Sequence, residues 1–286
     1  MLQGEEGEEG EEGEEDAAGT LTTSPFTTLH HPTPPCMIIT LLSDFGTADG
    51  YVAELKGVLL SAAPGTQLVD LSHDVPPHDV EAARLVVARY WRRFPAGTIH
   101  LVVVDPGVGS AREAIAVSSD GRFLVGPDNG VLSPALLLPG AQVVSLPVPA
   151  DAAPTFHGRD VFAPAAAALA GGASVESLGR PHDGPVVRRT PEVVRETDGW
   201  LRGEVIVIDR FGNAVTNLFG VHDGEVHIGA RVIPVRRTYA DVAAGEPVAL
   251  VGSSGLIEVA VRDGSAAIAL GLARGTSVRV RDGRTE

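Results

Sequence analysis

The sequence predicts an α/β domain followed by a small all-β domain, and two observations carry that reading. From residue 37 to about 180, short apolar runs alternate with stretches of helical period, the texture of strands and helices packed in layers. Beyond Leu201 only short strand-like runs remain, separated by Gly- and Asp-rich turns, as in a small barrel or sandwich.

The elements follow in order. Residues 37–42 are an apolar strand. Residues 50–63 read as a helix with Val52, Leu55, Val58 and Leu59 on one face. A strand is expected over 67–71 and a second helix over 80–94. Further strands are expected over 101–104, 114–118, 123–126 and 142–147. An Ala-rich helix over 161–170 stops at Gly171-Gly172, with Asp160 a candidate cap at its start. Apolar runs of this kind belong to a sheet that is largely buried. In the second half, strands are expected over 204–209, 214–218, 225–228, 230–235, 247–251, 256–261 and 276–281.

The organisation expected is a tail over 1–36, an N-terminal domain over 37–180, a Pro- and Arg-rich linker over 181–201 and a C-terminal domain over 202–286. The tail repeats Glu-Glu-Gly, then turns Thr- and Pro-rich, a composition that cannot build a core. It also holds −9 of the formal net charge of −15. The remainder is too small to suggest a nucleic-acid surface. No basic and then apolar stretch marks a secretory signal, and no run approaches the roughly 20 apolar residues of a membrane span. A cytoplasmic location is therefore expected. The single cysteine, Cys36, rules out a disulfide within the chain and a cysteine metal cluster.

Four polar clusters stand at the ends of expected strands: Ser43–Gly46, Asp70–His73, Asp105–Gly109 and Gly126–Gly130. Each taken singly is an ordinary turn. Together they suggest a shared site, because ligands bind at the carboxyl ends of parallel strands. The third cluster is the most informative. An apolar run delivers Asp105 into a Pro-Gly-Val-Gly turn, and Arg112 follows. Its G-x-G-x-x-R spacing lacks the third glycine of a dinucleotide loop, and a strand follows it rather than a helix. Neither a phosphate-binding G-x-x-x-x-G-K-[ST] loop nor a G-x-S-x-G elbow occurs. His73 and His78, with Asp74 and Asp79, invite a metal reading, but Val75-Pro76-Pro77 between them is stiff and extended, and zinc needs three or four preorganised ligands. His157 stands at the expected start of the Ala-rich helix and titrates in a useful range. Asp209–Asn213 and Gly252–Gly255 are polar turns of the β half.

The segments SDFGTADGYVAELKGV, DLSHDVPPHDVEAA, VVDPGVGSAR, GPDNGVLSP, TFHGRDVFAPAAA, IDRFGNAVTNL and GSSGLIEVAV resemble, in this order, those of the S-adenosyl-L-methionine (SAM) hydrolases. These are also called SAM hydroxide adenosyltransferases and are relatives of the SAM-dependent fluorinase and chlorinase. The resemblance runs from residue 37 to about 283. It implies a Rossmann-like N-terminal α/β domain with a central, mostly parallel sheet and a C-terminal β-barrel-like domain. It also implies a homotrimer with sites between subunits, SAM as substrate, and no cofactor or metal. By the same resemblance Asp105, Arg112 and His157 handle the attacking water and Asp44 holds the ribose hydroxyls. Asp209, Asn213 and Ser253 fall on positions that bind the methionine part, and Tyr239 falls beside the adenine.

Two departures separate the chain from the halogenases. Those enzymes lack the acid–arginine pair, and the fluorinase has a tyrosine–serine pair where this chain has His157-Gly158. The expected reaction is in-line attack of water on C5′ of the ribose, giving adenosine and L-methionine. The alternatives are a chlorinase-like halogenase and a non-catalytic SAM or adenosine sensor.

Overall fold

The computed structural model describes residues 37–282. The expectations for the acidic tail and for Cys36 lie outside these residues, as do the last four.

Strands β1 (Ile38–Ser43), β2 (Gln67–Ser72), β3 (Ile99–Val103), β4 (Ala114–Ser119), β5 (Arg122–Pro127), β6 (Gln142–Ser145) and β7 (Arg180–Pro181) form one sheet in the order β2-β1-β3-β5-β4-β6-β7. The pairings β1–β2, β1–β3 and β3–β5 are parallel. Those of β4 with β5 and β6, and of β6 with β7, are antiparallel. Most strands therefore point one way, with β4 and β7 reversed.

Strand β3 shows why the sheet is buried on both faces. Leu101 and Val103 join a core with α1 (Tyr51–Ala62) and α4 (Ala163–Ala170). Val102 and Val104 join a second core with α2 (Val80–Tyr90) and the short α3 (Ser133–Leu136). Successive strand side chains alternate between faces, so a continuous apolar run fills both.

Two helix expectations are corrected. The helix expected to reach residue 94 ends at Tyr90, and a 3₁₀ turn, Trp91–Arg93, closes it. Pro95 is the cause: it disfavours helical backbone at Phe94, which is extended. The helix expected from 161 starts at Ala163, behind a π-helical turn over Gly158–Phe162. Pro164, in its first turn, has no N–H to give to the carbonyl four residues back, and the Ala163 N–H instead bonds five residues back to Gly158. Asp160 is consequently no cap. Its carboxylate accepts from the Ala153 N–H and pairs with Arg159.

The second half holds β8 (Val194–Arg195), β9 (Leu201–Ile208), β10 (Ala214–Phe219), β11 (Gly224–Ile228), β12 (Arg231–Pro234), β13 (Pro247–Val251), β14 (Leu256–Val261), helix α5 (Ala266–Leu270) and β15 (Ser277–Asp282). The strands follow the order β12-β11-β15-β9-β10-β14-β13, and β8 pairs with β9. A parallel bridge between Val235 and Ala249 joins the two ends, so this antiparallel sheet is a nearly closed barrel. Its interior is filled by residues such as Val205, Leu218, Val226, Ile257 and Val278.

The segment 181–201 is strapped to the first sheet. Val186 donates to Asp128 Oδ1 (2.7 Å) and Arg188 to Ser133 Oγ (2.8 Å) through their backbone N–H groups. Arg274 of the β half reaches the helix-capping Asp79 with both terminal nitrogens. Among the described residues no helix is long and apolar enough to cross a membrane.

Candidate active site

Parallel pairing brings the polar clusters side by side. Ser43 is in register with Val103, so Asp44 and Asp105 leave adjacent strands at the same sheet edge. Both line a cavity of about 300 Å³, together with His157. Gly109 allows this closeness. It has φ +74°, and a Cβ there would sit 2.6 Å from the Pro154 carbonyl oxygen. The turn after β3 thus packs directly on the loop that carries His157.

Arg112 organises the acid. Its Nε donates to Asp105 Oδ1 at 2.9 Å and its Nη2 to Oδ2, a bidentate pair with both side chains largely buried. Nη2 also donates to Nδ1 of His157 at 3.0 Å. The guanidinium stands 5.2 Å from the Phe162 ring centroid. Burial, and then the positive charge of Arg112, hold the His157 pKa below its ordinary value, outweighing Asp105 and Asp160. His157 is therefore a neutral imidazole at pH 7, and Nδ1 is its acceptor, so the ring proton sits on Nε2.

Asp44 accepts from the backbone N–H of His78 at 2.8 Å. His78 has φ +66°, a left-handed backbone that a non-glycine residue adopts at a cost. It lines the same cavity, as do Phe45, Tyr51 and Phe156, whose rings pack together at 5.4–5.8 Å. The sequence offered His78 only as a metal candidate and Phe45 only as part of a strand-end cluster, and it did not single out Tyr51 or Phe156. All four lie inside the segments that carried the resemblance, and Phe45 and Phe156 stand directly beside Asp44 and His157. Adjacency was the available signal.

Only two of the four strand-end clusters line the cavity. His73 lies behind Asp44, bonded to Ser43 and Asp70. Asp128 holds His182 and the Val186 N–H, and Asn129 donates to the Val104 carbonyl. The cluster after β5 is structural. Among the described residues no group of three His, Cys, Asp or Glu side chains is arranged to hold a metal ion.

The β-half candidates assemble elsewhere. Asp209 Oδ1 accepts from the backbone N–H groups of Phe211 and Asn213, and Oδ2 from the Asn213 side chain. Asn213 and Tyr239 line a second cavity of about 580 Å³. Tyr239 donates to Glu258 Oε2 at 3.0 Å, and burial and then the Glu258 carboxylate push its hydroxyl up to about 12. Glu258, buried on β14, went unnoticed in the sequence because it stands in an apolar strand. Ser253 lines neither cavity. Its Oγ accepts from Arg89 at 3.4 Å. Within one chain, then, Asp44, Asp105, Arg112 and His157 come together, and Asn213, Asp209 and Tyr239 form a separate group.

Comparison with known proteins gives one answer for both halves. Residues 39–179 match the SAM hydroxide adenosyltransferase N-terminal domain and residues 203–279 the corresponding C-terminal domain. The (R)-S-adenosyl-L-methionine hydrolase of Thermus thermophilus is 46% identical over 84% of this chain and 97% of its own length. That of Salinispora tropica is 40% identical over 88% and 99%. A fluorinase of Actinopolyspora mzabensis is more distant, 31% identical over 85% and 96%. Among solved structures, a conserved protein of Thermotoga maritima superposes with a TM-score of 0.77 at 31% identity, covering 85% of this chain and 99% of that one.

Proposed function

The chain belongs to the SAM hydroxide adenosyltransferase family, and we propose that it hydrolyses S-adenosyl-L-methionine to adenosine and L-methionine. The observation that carries this reading is the Asp105–Arg112–His157 constellation, set beside Asp44 at one cavity.

The chemistry asks little of a general acid. The sulfonium departs as a neutral thioether once the C5′–S bond breaks, and the bonding pair stays on sulfur. What the protein must supply is a water in line with that bond. Asp105, clamped by Arg112, accepts one hydrogen of this water. His157 donates its Nε2–H to one lone pair of the oxygen. The other lone pair is left to form the O–C5′ bond, and the released proton passes to Asp105 or to solvent. Alignment of this kind supplies about 7–11 kcal/mol in favourable cases. The substrate loses its charge as it reacts, so a dry aromatic wall favours the transition state. Asp44 would hold the ribose hydroxyls and so fix C5′. The reading needs no metal or redox cofactor, and a cytoplasmic location is proposed with it.

In the same proposal the substrate bridges two copies within a homotrimer. The N-terminal half of one subunit meets the C-terminal half of the next, where Asp209, Asn213 and Ser253 bind the methionine part and Tyr239 lies beside the adenine. The separation of the two residue groups within one chain supports this, as does Phe211, which lines the second cavity yet is 77% exposed. Residues 37–180 would be the Rossmann-like domain, 181–201 the linker and 202–286 the barrel-like domain.

Incubation of the purified protein with SAM, followed by chromatographic separation, tests the reading. Equal amounts of adenosine and methionine are expected, with or without chloride. A 5′-chloro product would make it a halogenase, and binding without turnover would make it a sensor.

A further inference from the structure

Behind the cavity lies a chain of polar side chains that the proposed chemistry does not use. Lys56 Nζ donates to Asp70 Oδ2 at 2.6 Å, and His73 Nε2 lies 3.1 Å from Asp70 Oδ1. His73 Nδ1 lies 2.7 Å from Ser43 Oγ. The serine–histidine–aspartate order suggests a nucleophile, but the geometry argues otherwise. Ser43 is 1% exposed and lines neither cavity described above, and its Oγ faces His73 and the Phe45 N–H. With Asp70 drawing the Nε2 proton, Nδ1 accepts from the serine hydroxyl, which is thereby pinned.

His73 also grips the loop from its far side, because its backbone carbonyl accepts from the Gly46 N–H at 2.8 Å. The two contacts bracket Asp44 and Phe45, both of which line the cavity. Asp44 is oriented from a third direction by the His78 N–H. The imidazole is itself fixed from the solvent side. Burial works against the Asp70 carboxylate, but the hydrogen bonds from Lys56 and then His73 outweigh it and hold its pKa below the ordinary value.

We propose that His73 is a positioning residue that sets Asp44 against the ribose hydroxyls of the substrate, with Lys56 and Asp70 orienting its imidazole. This rests on the role given to Asp44 in the proposed function. The consequence is specific: loss of His73 degrades recognition of the ribose hydroxyls, not only stability.

The test compares turnover of SAM with that of its 2′-deoxy analogue in the full chain. Wild type should prefer SAM by about tenfold or more, the worth of one charge-assisted hydrogen bond. Asp44→Ala should lose most of that preference, and His73→Ala should lose a similar share. The double variant should resemble Asp44→Ala alone, because both act through one carboxylate. His73→Asn, which keeps an acceptor for the Ser43 hydroxyl, should restore part of the preference. Should His73→Ala not fold, Ser43→Ala removes the same contact from the other partner. A wild-type preference that survives intact in the folded His73 or Ser43 variants overturns the proposal while leaving the hydrolase reading standing. Absence of SAM turnover by wild type overturns the hydrolase reading instead, and the role of His73 with it.

Discussion

Arg112 Nη2 stands 3.0 Å from Nδ1 of His157 while Arg112 Nε holds Asp105. A guanidinium only donates, so this contact chooses the tautomer of the histidine. One arginine thereby aims an acceptor and a donor at the same region of the cavity.

Protonation of His157 would place a hydrogen on Nδ1 against the Arg112 cation. Since burial and then Arg112 lower the His157 pKa, kcat/KM should stay flat through neutrality. It should fall only at pH values below the ordinary histidine range. Arg112→Gln removes the cation and should move this acid limb to higher pH, beyond its loss of rate. Paired pH–rate profiles check both statements, and a limb that does not move would contradict the assignment.

Asp105→Asn should lower kcat by about 10²–10⁴-fold, the range for a lost acid–base or orienting group. SAM affinity, read by calorimetry, should change only a few-fold. Undiminished adenosine release would remove Asp105 from the mechanism.

Mixing two inactive variants tests the shared site. Asp105→Ala damages the first residue group and Asn213→Ala the second. If each site takes one group from each of two neighbours, random co-assembly should restore about a quarter of the sites. Sites contained within one chain would stay inactive in the mixture.

His100, on β3, is fully buried with Thr40 Oγ1 2.8 Å from its Nδ1, and burial pushes its pKa down to about 4. Unfolded, it would titrate near 6.5. Above 6.5 neither state binds the proton, so nothing is lost. Between 6.5 and 4 only the unfolded state binds it, and stability falls as pH falls. The loss levels off below 4, at ~3 kcal/mol. His100→Asn should flatten this part of the stability curve, measured by urea denaturation at pH 7 and pH 4.5 and a single protein concentration.

Much of this was legible in the order of residues. The strand ending at Asp105 was readable because Leu101–Val104 is apolar without a break, and such a run has one physical use in a layered domain. The pairing of Asp105 with Arg112 was readable because only a tight Gly-rich turn separates them. The short helices α3 and α5 and the strands β7 and β8 were not readable, since a few residues carry no periodicity. The π-helical turn was missed because the effect of Pro164 falls several residues upstream of it.

The sequence by itself determined the two-part architecture, the family likeness and the residue types of the proposed water-handling set, because periodicity and turn chemistry are local properties. Only the tertiary structure decided which candidates meet. Parallel register put Asp44 beside Asp105, and Gly109 let the loop of His157 approach. The same folding turned Asp128 towards the strap over 181–201 and left Asn213 and Tyr239 in a cavity of their own. Contacts between residues far apart in the chain depend on how strands pair and layers pack, and no short stretch of sequence encodes that.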